Sequence, residues 1–600
     1  MSKSISKGSA IRLLMVTLAG IISGTVCLNG SALDSVMPYG VGIQRIVEEG
    51  EASGWTKVAL FARYRALSAY ENHEEYAESW YYLYRWARRF ATDGPEFIER
   101  WVEAVQKGGV GHGNMATSYE VGRTPLGDLM PGGLKAFLLS DIDLSREFFS
   151  LYSSYDNLIE AFGILAALYE KFPGHFQKYA RLAIALTLVY DVPPPPGWPH
   201  FQVSSATLAR GLPEPAEAFD YWVRLNESRQ TPYDLSLLSA GRLIFLVDTP
   251  AGFDEMHWAR TAVVRSMEKF AEVYDMVHYR QDRVGAGQFI WPGQDYALKS
   301  IFEEGGICVD QAYFAAQVGK AHGVPTLIFR GAGLDGRHAW FGFMPEMDSW
   351  EFDGGRQGET RYVTGYAFDP QTWRNISDHE LAFLSEGFHE SYYYEKSVFH
   401  SNFAAEYLEL HAPELAIEAA ERALKYESRN GMAWEAVLIA TEETSDDPRS
   451  YETVLRRAAW AFRRYPDLEA AYRNRVSESL ADRGNLSLAR RERDIVATKN
   501  RADRTDLSIT QAVETLRLSM SQDPLSGQLR TFRVIILQMG KNGGMDLFDR
   551  IVRPFVAHLL KGGHERDAHR MALFARDQIV TSDGSMLSRE LANLVARIAP

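Results

Sequence analysis

Cysteine is scarce in this sequence, which has only Cys27 and Cys308 among its 600 residues. Two cysteines exclude a disulfide-stabilised scaffold and every zinc module that uses several cysteine ligands. Positive charge is also in short supply, because 64 Lys and Arg face 78 Asp and Glu, for a formal net charge of −14. Such a balance argues against a general nucleic-acid binder, since phosphate neutralisation requires a basic face.

Apolar residues, by contrast, are plentiful, at 46% hydrophobic and 12% aromatic. This composition excludes a disordered or collagen-like chain. At roughly 100–200 residues per domain, the length implies several domains. Changes in sequence texture divide the chain into a signal peptide (residues 1–32), a helical N-terminal region (33–235), a central mixed domain (236–395) and a helical C-terminal region (396–600).

The first residues have the pattern of an export signal. Three basic residues precede an apolar run over residues 13–28, and small residues follow up to Ala32, where we expect cleavage. The run is short for a membrane span, which needs about 20 apolar residues. We therefore predict a periplasmic or secreted protein without a membrane span after cleavage, an uncleaved N-terminal anchor being the alternative. Cleavage would remove Cys27 and leave Cys308 as the single cysteine.

The two outer regions show helical periodicity but no chemical motif. Alanine spacing around residues 416–434, with a weaker copy at 458–466, is similar to tetratricopeptide repeats, whose period is roughly 34 residues. We expect these helices to pack on the central domain or to offer a concave protein-binding surface. In the central domain, short apolar runs between Gly and Pro predict strands at 326–330, 339–343, 350–352 and 362–368. One helix followed by several strands indicates an α+β class.

Cys308 lies at the start of a predicted helix over residues 308–322. Gly305 and Gly306 allow a sharp turn into the helix, and Gly323 ends it. In the first turn of a helix, unpaired backbone N–H groups stabilise a thiolate and can stabilise an oxyanion. We therefore expect a reactive thiol with a pKa below about 8.5. The alternative is a buried, inert cysteine that packs as a small hydrophobic residue.

A base and an orienting acid follow in the predicted strands. His338 begins one strand and Asp353 ends the next, and a turn centred near Pro345 would place the two directly opposite each other in a hairpin. Opposed residues share a face of the sheet, with β-carbons about 4.5–5.5 Å apart, which is within reach of a carboxylate–imidazole hydrogen bond. A hairpin with an unrelated polar pair is the alternative.

Cys308 with its alanine-rich helix, Gly323, the strand from His338 and the strand ending at Asp353 together resemble the transglutaminase-like superfamily over residues 296–372. The resemblance implies a papain-like α+β core with Cys308 as nucleophile, His338 as base and Asp353 as orienting acid. Asp369 is the alternative acid.

The resemblance also implies an upstream oxyanion side chain, for which Trp291 and Gln294 are the candidates. No EF-hand loop pattern is present, and one thiolate with scattered histidines does not form a closed metal-ligand set, so we expect no metal and no cofactor.

Two functions are compatible with these residues. The first is an exported thiol acyltransferase or hydrolase, which is a cysteine amidase, peptidase or cross-linking enzyme acting on Gln or peptide amide bonds through a Cys308 thioester. Its substrate would be a protein or peptide. The second is a catalytically idle transglutaminase-like domain within a helical-repeat interaction scaffold, because most of the chain carries no chemistry.

Overall fold

The computed structural model describes residues 36–108, 124–208, 211–358 and 363–599. The predicted signal peptide, with Cys27, lies outside the described residues, as does the first residue of the fourth predicted strand. Within the described part of the chain, no helix is both long enough and apolar enough to cross a membrane.

The α+β class is confirmed: the described chain is mostly helical and contains one five-stranded sheet. The helices before the sheet are α1 (Val41–Ser53), α2 (Trp55–Glu71), α3 (Ala77–Phe90), α4 (Gly94–Gly108), α5 (Gly132–Ser140), α6 (Ile142–Leu151), α7 (Leu158–Lys171), α8 (Ala180–Tyr190), α9 (Pro215–Glu227), α10 (Ala240–Val247), α11 (Phe253–Ala262), α12 (Gln281–Gly285), α13 (Leu298–Glu304) and α14 (Cys308–Ala321). A 3₁₀ segment, Met267–Met276, lies between α11 and α12 and contributes to the site.

The strands are β1 (Thr326–Ala332), β2 (Arg337–Glu346), β3 (Ser349–Gly354), β4 (Tyr366–Phe368) and β5 (Asn375–Ser377). They form an antiparallel sheet in the order β3-β2-β1-β4-β5. The first three predicted strands are confirmed. The fourth is shorter than predicted, and β5 had no counterpart in the prediction because it has only three residues.

The predicted hairpin register is wrong. Phe341 pairs with Gly354, and Glu346 pairs with Ser349, so His338 and Asp353 are not cross-strand partners. Strand β2 continues through Pro345, and the turn falls two residues later than expected. The ladder is irregular next to Pro345, and this irregularity accommodates a residue that cannot donate a backbone hydrogen bond.

Helix α14 is the centre of the main hydrophobic core. Every residue from Val309 to Ala321 is buried, because the helix packs on β1 and β2 and is also covered by the 3₁₀ segment and by α11 and α13. The alanine-rich sequence suits this position, since small side chains let the helix approach its neighbours on all sides. The predicted helix is confirmed to within one residue, and its first residue, Cys308, is half-buried.

The helices after the sheet are α15 (Asp378–Leu384), α16 (Tyr392–Glu409), α17 (Pro413–Tyr426), α18 (Gly431–Thr444), α19 (Pro448–Ala461), α20 (Pro466–Asp482), α21 (Leu486–Lys499), α22 (Thr505–Gln522), α23 (Leu525–Met539), α24 (Gly544–Leu547), α25 (Arg553–Lys561), α26 (Glu565–Gln578) and α27 (Met586–Arg597). From α16 to α23, each helix packs on the next along the chain.

Contacts of this C-terminal region with the rest of the protein include one near its start and one near its end. Near its start, Phe403 stacks on Tyr70 of the N-terminal region, with ring centroids 4.0 Å apart. Near its end, a second hydrophobic core covers residues 509–594, and Asp335 in the β1–β2 turn accepts hydrogen bonds from the backbone and hydroxyl of Ser582, at 2.7 and 2.6 Å. The expectation that these helices pack on the central domain is confirmed.

Candidate active site around Cys308

Cys308 is the first residue of α14, held there by local and long-range backbone contacts. Gly306 donates its N–H to the carbonyl of His278 at 2.9 Å and accepts from the N–H of Arg280 at 2.9 Å. Asp310, three residues into the helix, accepts the N–H of Ile307 at 2.8 Å and so caps the helix start. The strand-like segment 278–280 therefore lies directly beside the cysteine.

Backbone groups near the Cys308 thiol favour its charged form, but they do not lower its pKa overall. Although Cys308 as a residue is half-buried, burial of the thiol raises its pKa, and the nearby carboxylate of Asp310 adds to the rise. Hydrogen bonds from the backbone of Ala339, Val309 and Cys308 itself act in the opposite direction and are outweighed. The expected low thiol pKa is therefore wrong for the resting protein, because desolvation disfavours the charged form.

His338 shares this site with Cys308. The backbone of Ala339, the residue that directly follows His338 in β2, lies close enough to the sulfur to lower the pKa of the thiol. The imidazole lies against two aromatic rings, with centroids 6.0 Å from Trp340 and 6.2 Å from Tyr274. The predicted base thus lies one residue along β2 from a backbone group that affects the Cys308 thiol, and its pairing with the thiol stays a prediction.

One nitrogen of His338 has a backbone partner: Nε2 lies 2.8 Å from the carbonyl oxygen of Gly355. A carbonyl oxygen can only accept, so this bond requires a hydrogen on Nε2. In the neutral ring Nδ1 is then an acceptor, which is the form that can take a proton from a thiol.

Asp353 has a different environment from the one expected. Its side chain is 46% exposed, and its Oδ1 accepts a hydrogen bond from Nη1 of Arg356 at 3.1 Å. The alternative acid, Asp369, is half-buried after β4 and accepts the backbone N–H of Gln371 at 2.9 Å, so it caps a local turn. Burial raises the pKa of Asp369.

A tyrosine that sequence reasoning missed, Tyr279, lies near Cys308. The two predicted oxyanion side chains have other surroundings. Trp291 donates its indole N–H to the carbonyl of Asp295 at 2.7 Å, and Gln294 is exposed. Tyr279 forms a backbone bridge with Gly306. Two effects raise the pKa of its hydroxyl: burial is the larger, and the charge of the nearby Cys308 thiolate is the second. Tyr279 remains 39% exposed. No local sequence pattern indicates this long-range pairing.

A second tyrosine joins the helix to the sheet. The hydroxyl of Tyr274 donates to the carbonyl of Ala339 at 2.9 Å and lies 3.3 Å from the carbonyl of Cys308. Burial raises its pKa well above the ordinary value, so the hydroxyl keeps its proton and remains a donor. Tyr274 therefore fixes the distance between the start of α14 and β2.

Behind the cysteine, Asp310 anchors a buried polar chain. It accepts hydrogen bonds from Nη1 of Arg283 at 3.1 Å and from the hydroxyl of Tyr296 at 2.8 Å. The Tyr296 oxygen lies 2.9 Å from Nε2 of His200. These contacts satisfy the buried carboxylate and hold the first turn of α14 rigidly.

Among the described residues, no group of His, Cys, Asp and Glu side chains has the arrangement of a metal site. Comparisons of the chain with protein-family models, with curated proteins and with solved structures give no match. The case for a function therefore depends on the residues around Cys308.

Proposed function

We propose that the protein is a thiol acyltransferase or hydrolase of the transglutaminase-like superfamily, acting on Gln or peptide amide bonds of polypeptides. One observation carries the proposal: a cysteine at the first position of a buried helix lies beside the backbone of Ala339, the residue that follows a histidine in β2. Nucleophilic catalysis by cysteine needs this pairing of a thiol with a base. The order of the helix, then an antiparallel sheet with His338 on its second strand, supports a papain-like core.

The chemistry follows from the two side chains. Nδ1 of His338 accepts the proton of the Cys308 thiol as the sulfur forms a bond to the amide carbonyl carbon. The C–N bond breaks, and ammonia or an amine leaves with the proton from the imidazolium, which produces a thioester. Water or a second amine then attacks the thioester carbon, releases the acyl group and returns the proton to the sulfur.

The negative charge on the carbonyl oxygen needs donors during each attack. The backbone N–H of Cys308, at the start of α14, is one, and the hydroxyl of Tyr279 is the second in this proposal. Because burial raises the thiol pKa, Cys308 is stored as a neutral thiol. His338 therefore acts as a general base during attack and does not hold a preformed ion pair.

Export, and thus a polypeptide substrate outside the cytoplasm, is part of the proposal and is supported by the N-terminal sequence pattern. The long C-terminal region supports a polypeptide substrate, because stacked helices offer extended surfaces.

A second candidate, an idle domain in an interaction scaffold, is favoured by the burial that raises the pKa of Cys308.

One experiment separates the two candidates in the full-length protein. A Gln-containing peptide is supplied with and without hydroxylamine as acceptor, while ammonia release and the mass of the acyl-enzyme are followed. We expect turnover and a thioester on Cys308 in the wild type, with neither in Cys308→Ser and strongly reduced turnover in His338→Gln. His257→Gln, on the exposed face of α11, is the matched control. If the wild type releases no ammonia and cleaves no peptide, the result would favour the idle scaffold.

A further inference from the structure

The chain turns tightly over the site immediately after β3. Arg356 donates its backbone N–H to the carbonyl of Asp353 at 3.0 Å, which closes the turn. Gly355, inside it, has φ +77°, and a β-carbon there would lie 2.3 Å from the ring of Tyr274. Only glycine fits this conformation and this contact without strain. The turn therefore passes directly over Tyr274 and presents the Gly355 carbonyl to His338.

The side chain of Arg356 anchors this turn to the body of the sheet. It is 6% exposed and pairs with two carboxylates, Oδ1 of Asp353 at 3.1 Å and Oδ2 of Asp378 at 3.2 Å. Asp378, at the start of α15, is itself only 4% exposed. Arg356 also donates to the carbonyl of Val363. A planar guanidinium can satisfy several acceptors in fixed directions, which an ammonium cannot.

Arg356 supports the imidazole by a second route. Its guanidinium lies 4.5 Å from the centroid of Trp340, a fully buried ring. The same indole stacks with His338, at an interplanar angle of 24°. Arg356 thus contacts Trp340, which stacks on His338. It also directly follows Gly355, whose carbonyl accepts from Nε2 of His338.

We propose that Arg356 is the positioning residue for His338 and that Asp353 acts through Arg356. This inference rests on the proposed function in one respect, namely that His338 is the base. In this arrangement the acceptor on Nε2 is the neutral carbonyl of Gly355, which selects the Nε2–H form of the ring and makes Nδ1 an acceptor. The two carboxylates secure the guanidinium, and the buried Asp378 is the stronger anchor because water screens the exposed Asp353.

The tautomer of His338 tests the proposal directly. In protein labelled with ¹⁵N-histidine, the chemical shifts of the two ring nitrogens report which one carries the hydrogen, and His338→Gln assigns the signal. We expect the Nε2–H form in the wild type and in Asp353→Asn. In Arg356→Met we expect the ratio of tautomers to shift by about fivefold, the equilibrium equivalent of one hydrogen bond. Arg337→Met is the matched control, since Arg337 precedes His338 but pairs with Asp549.

The pH profile of Cys308 alkylation provides a second readout, and it should change in Arg356→Met but not in Arg337→Met. Arg356→Lys keeps the positive charge but lacks the planar guanidinium, so its tautomer ratio and alkylation profile should stay close to those of Arg356→Met. It replaces Arg356→Met if that variant does not fold. An Nδ1–H form in the wild type, or loss of the Nε2–H form in Asp353→Asn with Arg356→Met unchanged, would overturn the proposal.

Neither readout requires turnover. A protein that shows both expected changes without hydrolysing or transferring any amide would refute the enzymatic proposal and still support the role of Arg356.

Discussion

Gly355→Ala is the substitution that tests the geometry of the candidate site most directly. Two independent penalties apply at this position. The backbone has φ +77°, and the added β-carbon would lie 2.3 Å from a ring carbon of Tyr274. Tyr274 cannot withdraw easily, because its hydroxyl is bonded to the carbonyl of Ala339 in the central strand. The turn must therefore move, and the carbonyl that meets His338 must move with it.

The magnitude follows from the two penalties. A left-handed conformation costs a residue with a β-carbon about 1–2 kcal/mol, and forcing an extra methyl group into a packed site costs about 1–3 kcal/mol. Together they lower the local opening free energy by about 2–5 kcal/mol, which at 1.4 kcal/mol per factor of ten is about 30-fold to several thousand-fold in the opening equilibrium.

Hydrogen exchange measured by mass spectrometry over β2 and β3 is the appropriate assay, since a protein with two hydrophobic cores need not unfold in one step. Gly287→Ala is the matched control, because Gly287 has φ +70° but open space around its α-carbon. It should accelerate exchange only in its own turn, by about the 1–2 kcal/mol of the backbone penalty.

Gly355→Ala should also alter the His338 tautomer and slow turnover, because it displaces the Gly355 carbonyl that accepts from Nε2. If Gly355→Ala exchanges no faster in β2 and β3 than Gly287→Ala does, the close approach to Tyr274 is wrong, and so is the argument that this turn holds the imidazole.

Three further predictions concern single side chains. Tyr279→Phe should lower turnover by about 10²–10³ but leave alkylation of Cys308 unchanged, because the hydroxyl is needed only when an oxyanion forms; equal losses in both assays would remove Tyr279 from the oxyanion site. The alkylation rate of Cys308 should keep rising above about pH 8.5, the range of an ordinary thiol, because burial raises the thiol pKa; a plateau at pH 7 in the wild type, abolished by His338→Gln, would instead indicate an ion pair. Burial raises the pKa of Asp156 to about 7 in the folded protein, above the value of an aspartate in the unfolded chain. The protonated Asp156 therefore contributes fully to stability below about pH 4, and this contribution is lost as the pH rises through about 7. Denaturant midpoints at pH 5 and pH 8 should differ less in Asp156→Asn than in the wild type, and equal differences would contradict the shift.

Local sequence signals predicted the elements that carry the site. The helix from Cys308 is bounded by Gly305 and Gly323, which have φ +74° and +79° in the structure, and such signals act within a few residues. Three strands followed from short apolar runs between glycine and proline. Cys308 was also expected to lie near the start of β2, because both lie at the starts of elements that a compact α+β domain packs together, and its pairing with His338 stays a prediction.

The register of the β2–β3 hairpin was not predictable in the same way. Pro345 suggested a turn, but the strand passes through it, and the shift of two residues separates Asp353 from the position opposite His338. A turn residue indicates that the chain bends nearby, but it does not determine at which residue the bend falls. The register depends on which side chains fill the core on both faces of the sheet.

The sequence by itself thus determined the local conformations: where α14 starts and ends, which segments form the first strands, and that a cysteine stands at a helix N-terminus. Only the tertiary structure decided which groups surround that cysteine. The approach of Tyr279, the Gly355 carbonyl on His338, the anchoring of Arg356 by Asp378 and the burial that raises the thiol pKa all join segments distant in the chain. Contacts of this kind arise from packing and exclusion of water, which depend on every neighbouring element at once, and no short stretch of residues encodes them.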